Sequence, residues 1–468
     1  MQSAGTQSSD EEQLRRLGYA QVLLRDMGGF GSFALSFSII SVLTGAVTLY
    51  GHGLRFGGPL EMALGWPLVA LLTLPVAASL AELASAYPTA GALYHWSSLL
   101  GGRGQGFFTA WLNTIGQVAI TAGIDYGLAE FVAAMLGLPG DRAHVLSIYT
   151  GLLASHAALN HLGVRLVGRL NHASAWVHLA GVIAIVSGLY FFAPLQPMSF
   201  LATRFTSEPH SLPYGFCVGL LLACWTFTGY DASAHVSEET HDPTRAAPWG
   251  IFLSVVVSGV VGYALLLAVT LAIGDLSAAA AADNPFIFVL RSALGLRLGN
   301  ALVWTAMLAM WFCGLASVTS NSRMLFAFAR DGGLPFAAGL ARVSPRYQSP
   351  FVAVWVSVAA ALAIALWADA YSAITALGVI ALYASYALPI FCALLARRTE
   401  RGPWHLGRFS RGLNLIALIW IAVVSVLLVL PPNQLAGYTF AGCLAALAIY
   451  WRFWMRTRFT GPRLPERS

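Results

Sequence analysis

Two apolar stretches of the sequence each place hydroxyl side chains around a single glycine. The first leads to Gly45 and contains Ser41 and Thr44, and the second surrounds Gly229. Such clusters favour a broken helix, because backbone inside a membrane leaves its helix only where it lines a cavity or packs closely. A broken helix exposes N–H groups that attract a carboxylate and C=O groups that attract a cation, the two charges of an amino acid. We therefore predict that residues 41–45 and 226–229 bind the backbone atoms of such a molecule.

Two aromatic side chains adjoin the second cluster. Trp225 and Phe227 are suited to close over a bound molecule, or to cover an ammonium group by a cation–π contact. Packing in the core explains either one alone equally well.

Five acidic residues fall within the apolar stretches or at their ends, where a charge is costly and therefore indicates a function. Glu61 and Glu130 lie near predicted external ends of helices, so we expect both to be hydrated. Asp125 follows Gln117 and Thr121 at intervals of four, which places three polar groups on one helix face. Thr121 and Asp125 are predicted to face the substrate, with structural pairing of Asp125 as the alternative. The five acids are Glu61, Glu82, Asp125, Glu130 and Asp231.

The remaining two acids are candidates for gating or proton coupling. Asp231 lies two residues after Gly229, where a helix would restart, so it either caps that helix or takes part in gating or proton transfer. Glu82 lies near the cytoplasmic end of its helix, and we expect it to pair with Arg245 or Arg323 as an inner gate.

A later apolar stretch contains a dense run of hydroxyls. Ser317, Thr319 and Ser320 form a candidate sodium site against carbonyls freed by the first break, with bonding to their own helix as the alternative. We predict no metal centre, because four histidines of the apolar stretches lack an acid or cysteine at ligand spacing. These histidines are His156, His161, His172 and His178.

The composition is that of a membrane protein. Of 468 residues, 57% are hydrophobic and 10% are charged, against about 25% charged in soluble proteins. All 26 basic residues are arginine, which excludes a phosphate-binding Walker lysine and a pyridoxal Schiff base. The five cysteines form no CxxC pair, so neither disulfides nor zinc are indicated. We predict no cofactor.

Apolar runs of about 20 residues, the length that crosses a bilayer, predict twelve transmembrane helices and an all-α fold. Placing both termini in the cytoplasm puts 21 arginines inside and 5 outside, as the positive-inside rule requires. The net charge of +6 therefore reflects topology and no nucleic-acid surface. We predict a multi-pass plasma (inner) membrane protein with cytoplasmic tails at 1–29 and 456–468. The spans are 30–50, 59–86, 104–136, 143–164, 173–194, 213–236, 249–273, 300–328, 350–368, 371–395, 412–431 and 435–455.

The two clusters lie in spans 1 and 6, which are five spans apart and enter the membrane from opposite faces. This spacing is expected of two inverted five-helix repeats whose interrupted helices form a substrate site. The repeats cover about 30–194 and 213–395, and two accessory helices cover about 412–455 of the single domain 30–455. Close helix packing by small residues is the alternative explanation.

Several motifs resemble the amino acid-polyamine-organocation (APC) superfamily. They include Ser36-Phe-Ser-Ile-Ile-Ser-Val-Leu-Thr-Gly45, Gly57-Gly-Pro59 and the segment from Ala81 to Tyr94. Three more motifs are similar to its amino acid/choline transporter branch, which includes GABA and choline permeases. These are Tyr230-Asp-Ala-Ser-Ala-His-Val-Ser-Glu-Glu239, Asn321-Ser-Arg-Met-Leu-Phe-Ala-Phe-Ala-Arg-Asp-Gly332 and Gly402-Pro-Trp-His-Leu-Gly-Arg-Phe409.

The resemblance implies a leucine-transporter-type fold with discontinuous helices 1 and 6. It also implies that relatives' substrate contacts fall here at Ser41, Thr44, Gly45, Thr121, Asp125, Trp225, Phe227 and Gly229. Relatives couple to protons or sodium, or exchange substrates. Some proton-coupled relatives use a lysine in helix 5, which this chain lacks.

We therefore expect a secondary active transporter, not an enzyme, that moves a small amino acid or amine such as GABA by alternating access. A choline or polyamine carrier is the alternative, in which Asp125 and aromatic residues would bind the cation. A membrane enzyme lacks a supporting acid/base or metal constellation, and a channel lacks a repeated filter motif. The substrate, the coupling by proton, sodium or exchange, and the oligomeric state stay open at this point.

Overall fold

The described part of the chain is helical. A computed structural model describes residues 4–367, 371–396 and 400–462, and within these ranges the one β-type pairing is an isolated bridge between Met27 and Thr240. Residues 1–3 and 463–468 of the predicted tails, and Arg397 and Arg398 of a predicted cytoplasmic loop, lie outside the described residues.

The helices follow the predicted spans, with several shorter helices between them. A π-helical turn, Glu61–Gly65, joins α4 to α5. The helices are α1 (Ala4–Arg16), α2 (Gly29–Ile40), α3 (Gly45–Thr48), α4 (Tyr50–Leu60), α5 (Trp66–Ala86), α6 (Ala92–Gly101), α7 (Arg103–Leu136), α8 (Arg142–His161), α9 (Val164–Phe192), α10 (Leu212–Gly219), α11 (Leu221–Thr226), α12 (Ala232–His235), α13 (Pro243–Leu271), α14 (Leu276–Ala281), α15 (Pro285–Arg330), α16 (Ala337–Leu340), α17 (Phe351–Trp367), α18 (Tyr371–Leu395), α19 (Ser410–Leu427), α20 (Gln434–Tyr450) and α21 (Arg456–Arg458).

The predicted external loop 274–299 is largely helical. It contains α14 and the start of α15, which begins fifteen residues before the predicted span at 300. The Asn284 side chain accepts a hydrogen bond of 3.1 Å from the Ile287 N–H, and Pro285 takes the first helical position. Both are strong helix-start signals. A kink at Gly295, with φ +75°, separates this polar start from the apolar body of the helix.

The described helices suit a lipid environment. Nine are long and apolar enough to cross a membrane, and two shorter apolar helices cover 212–226 and 351–367. Large apolar side chains such as Phe191, Val260 and Phe453 are exposed on the outside, whereas serine, threonine and acidic side chains are buried inside. This is the reverse of a soluble protein's pattern. The count of twelve spans and the inverted repeats stay predictions.

Both ends of the described chain pack at the same end of the helix bundle, called here the terminal end. Leu23 from the N-terminal segment and Phe459 from the C-terminal segment belong to one buried cluster with Tyr94 and Phe328. Phe459 is 1% exposed, so the start of the predicted C-terminal tail is docked on the bundle. An aromatic side chain gains stability by leaving water, which accounts for the docking of Phe459.

Candidate substrate site

Both predicted helix breaks are present. Helix α2 ends at Ile40, the chain turns at Ser41 with φ +29°, and α3 begins at Gly45. Helix α11 ends at Thr226, Gly229 adopts φ +76°, and α12 begins at Ala232. A positive φ is accessible to glycine at no steric cost, so Gly229 permits the second break.

The two breaks contact each other through their backbones. A Cβ atom added to Gly45 would lie 2.7 Å from the Thr226 Cα and would also overlap the threonine hydroxyl. A Cβ added to Gly229 would overlap the Ile39 side chain. Glycine is therefore required on each side, because any larger residue would push α2–α3 and α11–α12 apart.

A small cavity lies at this contact. Its volume is about 10 Å³, which is roughly the space of one water molecule. Thr44, Gly45 and Trp225, three of the predicted substrate contacts, line it. The lining residues are Ile39, Ile40, Thr44, Gly45, Ile120, Ile124, Trp225, Thr226 and Thr228. In this conformation the breaks enclose the cavity, which admits a molecule larger than water only after the helices around it separate.

Backbone groups at the breaks are free to bind a ligand. Among the described residues, no backbone carbonyl accepts a hydrogen bond from the N–H groups of Val42, Leu43 or Thr228. Two freed carbonyls have weak donors, because the Ile39 C=O accepts from the Cys313 thiol at 3.3 Å and the Phe227 C=O from the Tyr383 hydroxyl at 3.5 Å. An ammonium group could replace these long contacts to the carbonyls, and a carboxylate could accept hydrogen bonds from the free N–H groups.

A histidine that the sequence did not single out as a site residue contacts the first break. The Ser41 and Thr44 hydroxyls lie 2.6 Å apart, and His178 Nε2 lies 2.7 Å from the Ser41 hydroxyl. His178 Nδ1 lies 2.8 Å from the Ser174 carbonyl, so this nitrogen carries the proton and donates. The Nε2 atom of a neutral His178 then accepts a hydrogen bond from the Ser41 hydroxyl. The signal in the sequence was a histidine within predicted span 5.

Asp231 is the most connected side chain next to the second break. The Tyr386 hydroxyl donates to one carboxylate oxygen at 2.8 Å, and Asn113 and Gln117 donate to the other at 3.2 and 3.4 Å. Tyr386 also accepts the Gly229 N–H at 3.2 Å. The carboxylate therefore joins α7 and α18 to the backbone of the break. The alternative that Asp231 caps the restarting helix is wrong, because its side chain makes no capping hydrogen bond.

Asp231 also forms a buried pair with His235, one helical turn later. His235 Nε2 lies 3.1 Å from the carboxylate, and Nδ1 lies 3.1 Å from the Ala90 carbonyl, to which it must donate. Both side chains are fully buried. The Asp–His hydrogen bond therefore contains one proton, which either partner can carry. The pair is a candidate proton-binding site beside the break.

The polar face predicted on α7 does not converge on the cavity. Gln117 donates to Asp231, the Thr121 and Ser317 hydroxyls lie 2.7 Å apart, and Asp125 lies 3.2 Å from His156 Nδ1. The adjacent face, with Ile120 and Ile124, lines the cavity instead. His156 has an acid partner that sequence spacing did not reveal, because packing of α7 on α8 joins residues 31 apart in sequence. No cluster of three metal-ligating side chains occurs among the described residues.

The three hydroxyls of the candidate sodium site have different surroundings. Ser317 contacts Thr121 on α7, and Thr319 donates to Asn160 on α8 at 2.8 Å and to its own helix at 2.9 Å. The buried Ser320 hydroxyl has no partner among the described residues. The hydroxyls of Ser317 and Thr319 thus already form hydrogen bonds to different helices.

The two aromatic side chains of the second break point to different neighbours. The Phe227 ring packs on Trp66 of α5, with ring centroids 4.8 Å apart. The Trp225 ring fits against Gly123 of α7 and Gly378 of α18, where a Cβ on Gly123 would come within 2.7 Å of it. Trp225 therefore forms a wall of the cavity, and Phe227 anchors the break to α5.

Within the described part of the chain, Glu82 pairs with no arginine. Its carboxylate accepts hydrogen bonds from the Leu406 N–H at 2.9 Å and from the Ser410 hydroxyl at 2.5 Å. The predicted partners have other acids: Arg245 lies 3.9 Å from Asp242, and Arg323 lies 3.1 Å from Glu239. The prediction of a Glu82–arginine gate is wrong, because α5 packs on α19 and presents Glu82 to the start of that helix.

The ion pairs at the terminal end involve Glu238 and Glu239, at the end of the broken helix. Arg330 donates to both oxygens of Glu238 at 2.9 Å, and Arg323 donates to Glu239 at 3.1 Å. Burial favours neutral Glu238, but the paired Arg330 outweighs it and brings the pKa of Glu238 below its ordinary value. Both glutamates and both arginines lie in motifs recognised in the sequence, although their pairing was not predicted.

The N-terminal segment covers these pairs. The backbone N–H groups of Asp26 and Met27 donate to the Glu239 carbonyl at 3.1 and 2.9 Å, and Arg25 donates to the Ser237 and Thr240 carbonyls. The Tyr19 hydroxyl donates to Asp331 at 2.7 Å. These contacts hold the ends of α15 and of the broken helix together, so the terminal end is closed.

Glu61 and Glu130, the two acids that we expected to be hydrated, differ in burial. The Glu130 side chain is exposed at the surface of the protein, and its hydration stays a prediction. Glu61 is 2% exposed, so the prediction of a wet position for Glu61 is wrong. The reason is that α10, which is distant in sequence, packs over the turn that carries it.

Comparison with known proteins decides the family. The family described as "Amino acid permease" matches residues 28–452, which include both breaks and the cavity. The chain belongs to this family. It is therefore a permease, a multi-pass membrane transport protein and not an enzyme.

Full-length relatives carry the same description. The permease is 35% identical to the amino-acid permease BAT1 of Arabidopsis thaliana, with 97% of this chain and 96% of the relative covered. It is 36% identical to the BAT1 homolog of Oryza sativa subsp. japonica, with 92% and 89% covered. It is 26% identical to the GABA-specific permease of Saccharomyces cerevisiae, with 97% and 86% covered.

Substitution of the two break glycines tests the contact between the breaks. We expect Gly45→Ala and Gly229→Ala each to lower the stability by about 1–3 kcal/mol, because overpacking forces the backbones apart, and to reduce transport by about tenfold or more. Gly151→Ala on α8 is the control, since nothing lies within 4 Å of the added Cβ. Thermal unfolding and initial uptake rates measure both effects, and wild-type values for Gly45→Ala would contradict the tight contact.

Proposed function

We propose that this permease is a secondary active transporter that moves a small neutral amino acid across the membrane by alternating access. The observation that supports it best is the pair of helix breaks that meet at one enclosed cavity. Broken helices of this kind offer N–H groups to a carboxylate and C=O groups to an ammonium group. The substrate's backbone would bind at residues 41–45 and 226–229, with Ser41 and Thr44 on one side and Gly229 on the other.

The cavity walls favour a neutral side chain on the substrate. Four isoleucines and Trp225 provide its apolar lining, and none of the nine lining residues in the described chain is acidic or basic. Asp125, the acid that a choline or polyamine carrier would use, is paired with His156. This arrangement supports alanine- or GABA-sized zwitterions over cations, and one relative is named a GABA-specific permease.

We propose protons as the coupling ion. The support is the Asp231–His235 pair, whose carboxylate is joined through Tyr386 to the Gly229 N–H. A change of charge on this pair would alter the hydrogen bonds that hold the break. Sodium has weaker support, because Ser317 and Thr319 bond to different helices.

We propose twelve spans arranged as two inverted five-helix repeats plus two accessory helices, in the plasma membrane with both termini in the cytoplasm. Support comes from the arginine distribution and from the docking of both chain ends at the terminal end. The terminal-end ion pairs would then form the cytoplasmic gate.

Uptake into liposomes tests substrate and coupling together. With an inward proton gradient, we expect the wild-type protein to accumulate labelled alanine or GABA above equilibrium, because the zwitterion fits the breaks and the pair binds protons. Choline and putrescine should not accumulate. Accumulation driven by sodium alone, or of the cations alone, would contradict the proposal.

Asp231→Asn is the variant that tests the coupling residue within the same assay. It should retain exchange of labelled for unlabelled substrate but lose proton-driven accumulation, since the amide cannot bind a proton. Glu400→Gln, at an exposed acid outside the predicted spans, is the control and should behave as wild type. Proton-driven accumulation that survives in Asp231→Asn would contradict the assigned role.

Cysteine labelling tests the topology. In a variant without native cysteines, we expect an impermeant maleimide to label Arg16→Cys and Thr460→Cys from the cytoplasmic side and Gly140→Cys from the opposite side. All three positions are exposed. Labelling of Arg16→Cys and Thr460→Cys from opposite sides would require an odd number of spans.

A further inference from the structure

Glu61 is an acid inside a predicted span that the proposed mechanism does not use. It begins the π-helical turn between α4 and α5, within the apolar stretch 50–86. Its Oε2 atom has no hydrogen-bond partner within the described chain. An ionisable group inside a membrane segment indicates a function.

Glycines from two neighbouring segments and from its own turn surround this side chain. A Cβ added to Gly57 on α4 would come 2.9 Å from Oε2, and one added to Gly219 on α10 would come 3.0 Å from Cδ. A Cβ on Gly65, at the end of the turn, would overlap the carboxyl group. The carboxyl group is thus held in a space that only glycines leave open, between α4 and α10.

No counter-ion faces Glu61 among the described residues. On α4, Arg55 donates to the Ala280 and Ala282 carbonyls, at 2.9 and 2.8 Å, and His52 contacts the Val218 carbonyl at 3.0 Å. On α13, the Tyr263 hydroxyl donates to the Ala63 carbonyl.

The other neighbouring elements provide no cation either. Helices α10 and α11 present the thiols of Cys217 and Cys224, α5 has Glu82 as its one charged residue, far along the helix, and the short helix Met198–Ala202 carries no ionisable side chain. An unpaired carboxylate in such a place costs several kcal/mol, so the closed packing requires the neutral, protonated acid.

The position of Glu61 links this proton to the substrate site. Helix α4 continues from the first break through α3, and α10 leads through α11 into the second break. These two helices pack on each other, with Glu61 between them. Separating them admits water to the carboxyl group, and closing them removes it.

We infer that Glu61 is a proton-binding site that must be occupied whenever α4 and α10 close over the substrate. The inference rests on the proposed transport function and adds a second proton site to it, remote from the Asp231–His235 pair. The ligand is the proton itself, taken from the side of the membrane toward which α4 and α10 open. Without that proton, the two helices stay apart and the cycle stops before closure.

Two measurements test the site, one of which needs no substrate. The unfolding temperature of the purified protein should fall as the pH rises from about 5.5 to 8.5, because the closed form requires the proton. The near-isosteric Glu61→Gln should lose most of this dependence. In liposomes, wild-type uptake should fall as the pH rises on the α4–α10 side, by up to about tenfold per pH unit, whereas Glu61→Gln should fall less steeply and keep only the pH dependence of the Asp231–His235 pair. Glu400→Gln, at an exposed acid outside the predicted spans, should keep the wild-type profile in both measurements.

The outcomes separate this inference from the transport proposal. If no labelled amino acid accumulates in any condition, the transport proposal fails, and the unfolding profile still tests Glu61. If Glu61→Gln folds and keeps the wild-type pH dependence, the inference is overturned. If Glu61→Gln does not fold, the wild-type protein decides. An unfolding temperature and an uptake rate that do not fall as the pH rises would overturn the inference without a variant.

Discussion

The close backbone contact between the two helix breaks is the constraint on which the rest of the structure depends. Gly45 against Thr226 and Gly229 against Ile39 leave no room for a Cβ atom. Because the breaks touch, the backbone groups they free converge on one cavity. The surrounding helices are then positioned to hold the breaks: α9 through His178, α7 and α18 through Asp231, and α5 through Trp66.

The two ends of the molecule close by different physical means. At the terminal end, Arg330 donates hydrogen bonds to both carboxylate oxygens of Glu238, and the N-terminal segment covers such charged pairs. Such pairs separate only if water replaces each partner, which makes the closed form specific but costly to form. At the opposite end, α4 and α10 close around an acid with no counter-ion. We infer that closure there depends on a proton.

The sequence predicted much of the fold because membrane spans and helix breaks are local patterns. Apolar length predicts a span, and glycine with hydroxyls predicts a break. The predicted span 371–395 and the predicted breaks at 41–45 and 226–229 agree with the structure, in which the second break covers 227–231. The partners of buried side chains depend on helix rotation, which is not local. On α7, Ile120 and Ile124 line the cavity, whereas Thr121 and Asp125, each one residue later, face away from it. Glu82, His156 and Glu61 were misjudged for the same reason, since their neighbours come from distant helices.

We propose that the amino acid binds between the two breaks. Substrate protection of an introduced cysteine tests this binding position most directly. Thr228 lines the cavity, and Ser147 on α8 is exposed elsewhere. In a variant without native cysteines, the account predicts that a transported amino acid slows thiol modification of Thr228→Cys at concentrations that half-saturate its uptake, and leaves Ser147→Cys unaffected. Modification of Thr228→Cys at an unchanged rate, while saturating substrate is being transported, would contradict the account.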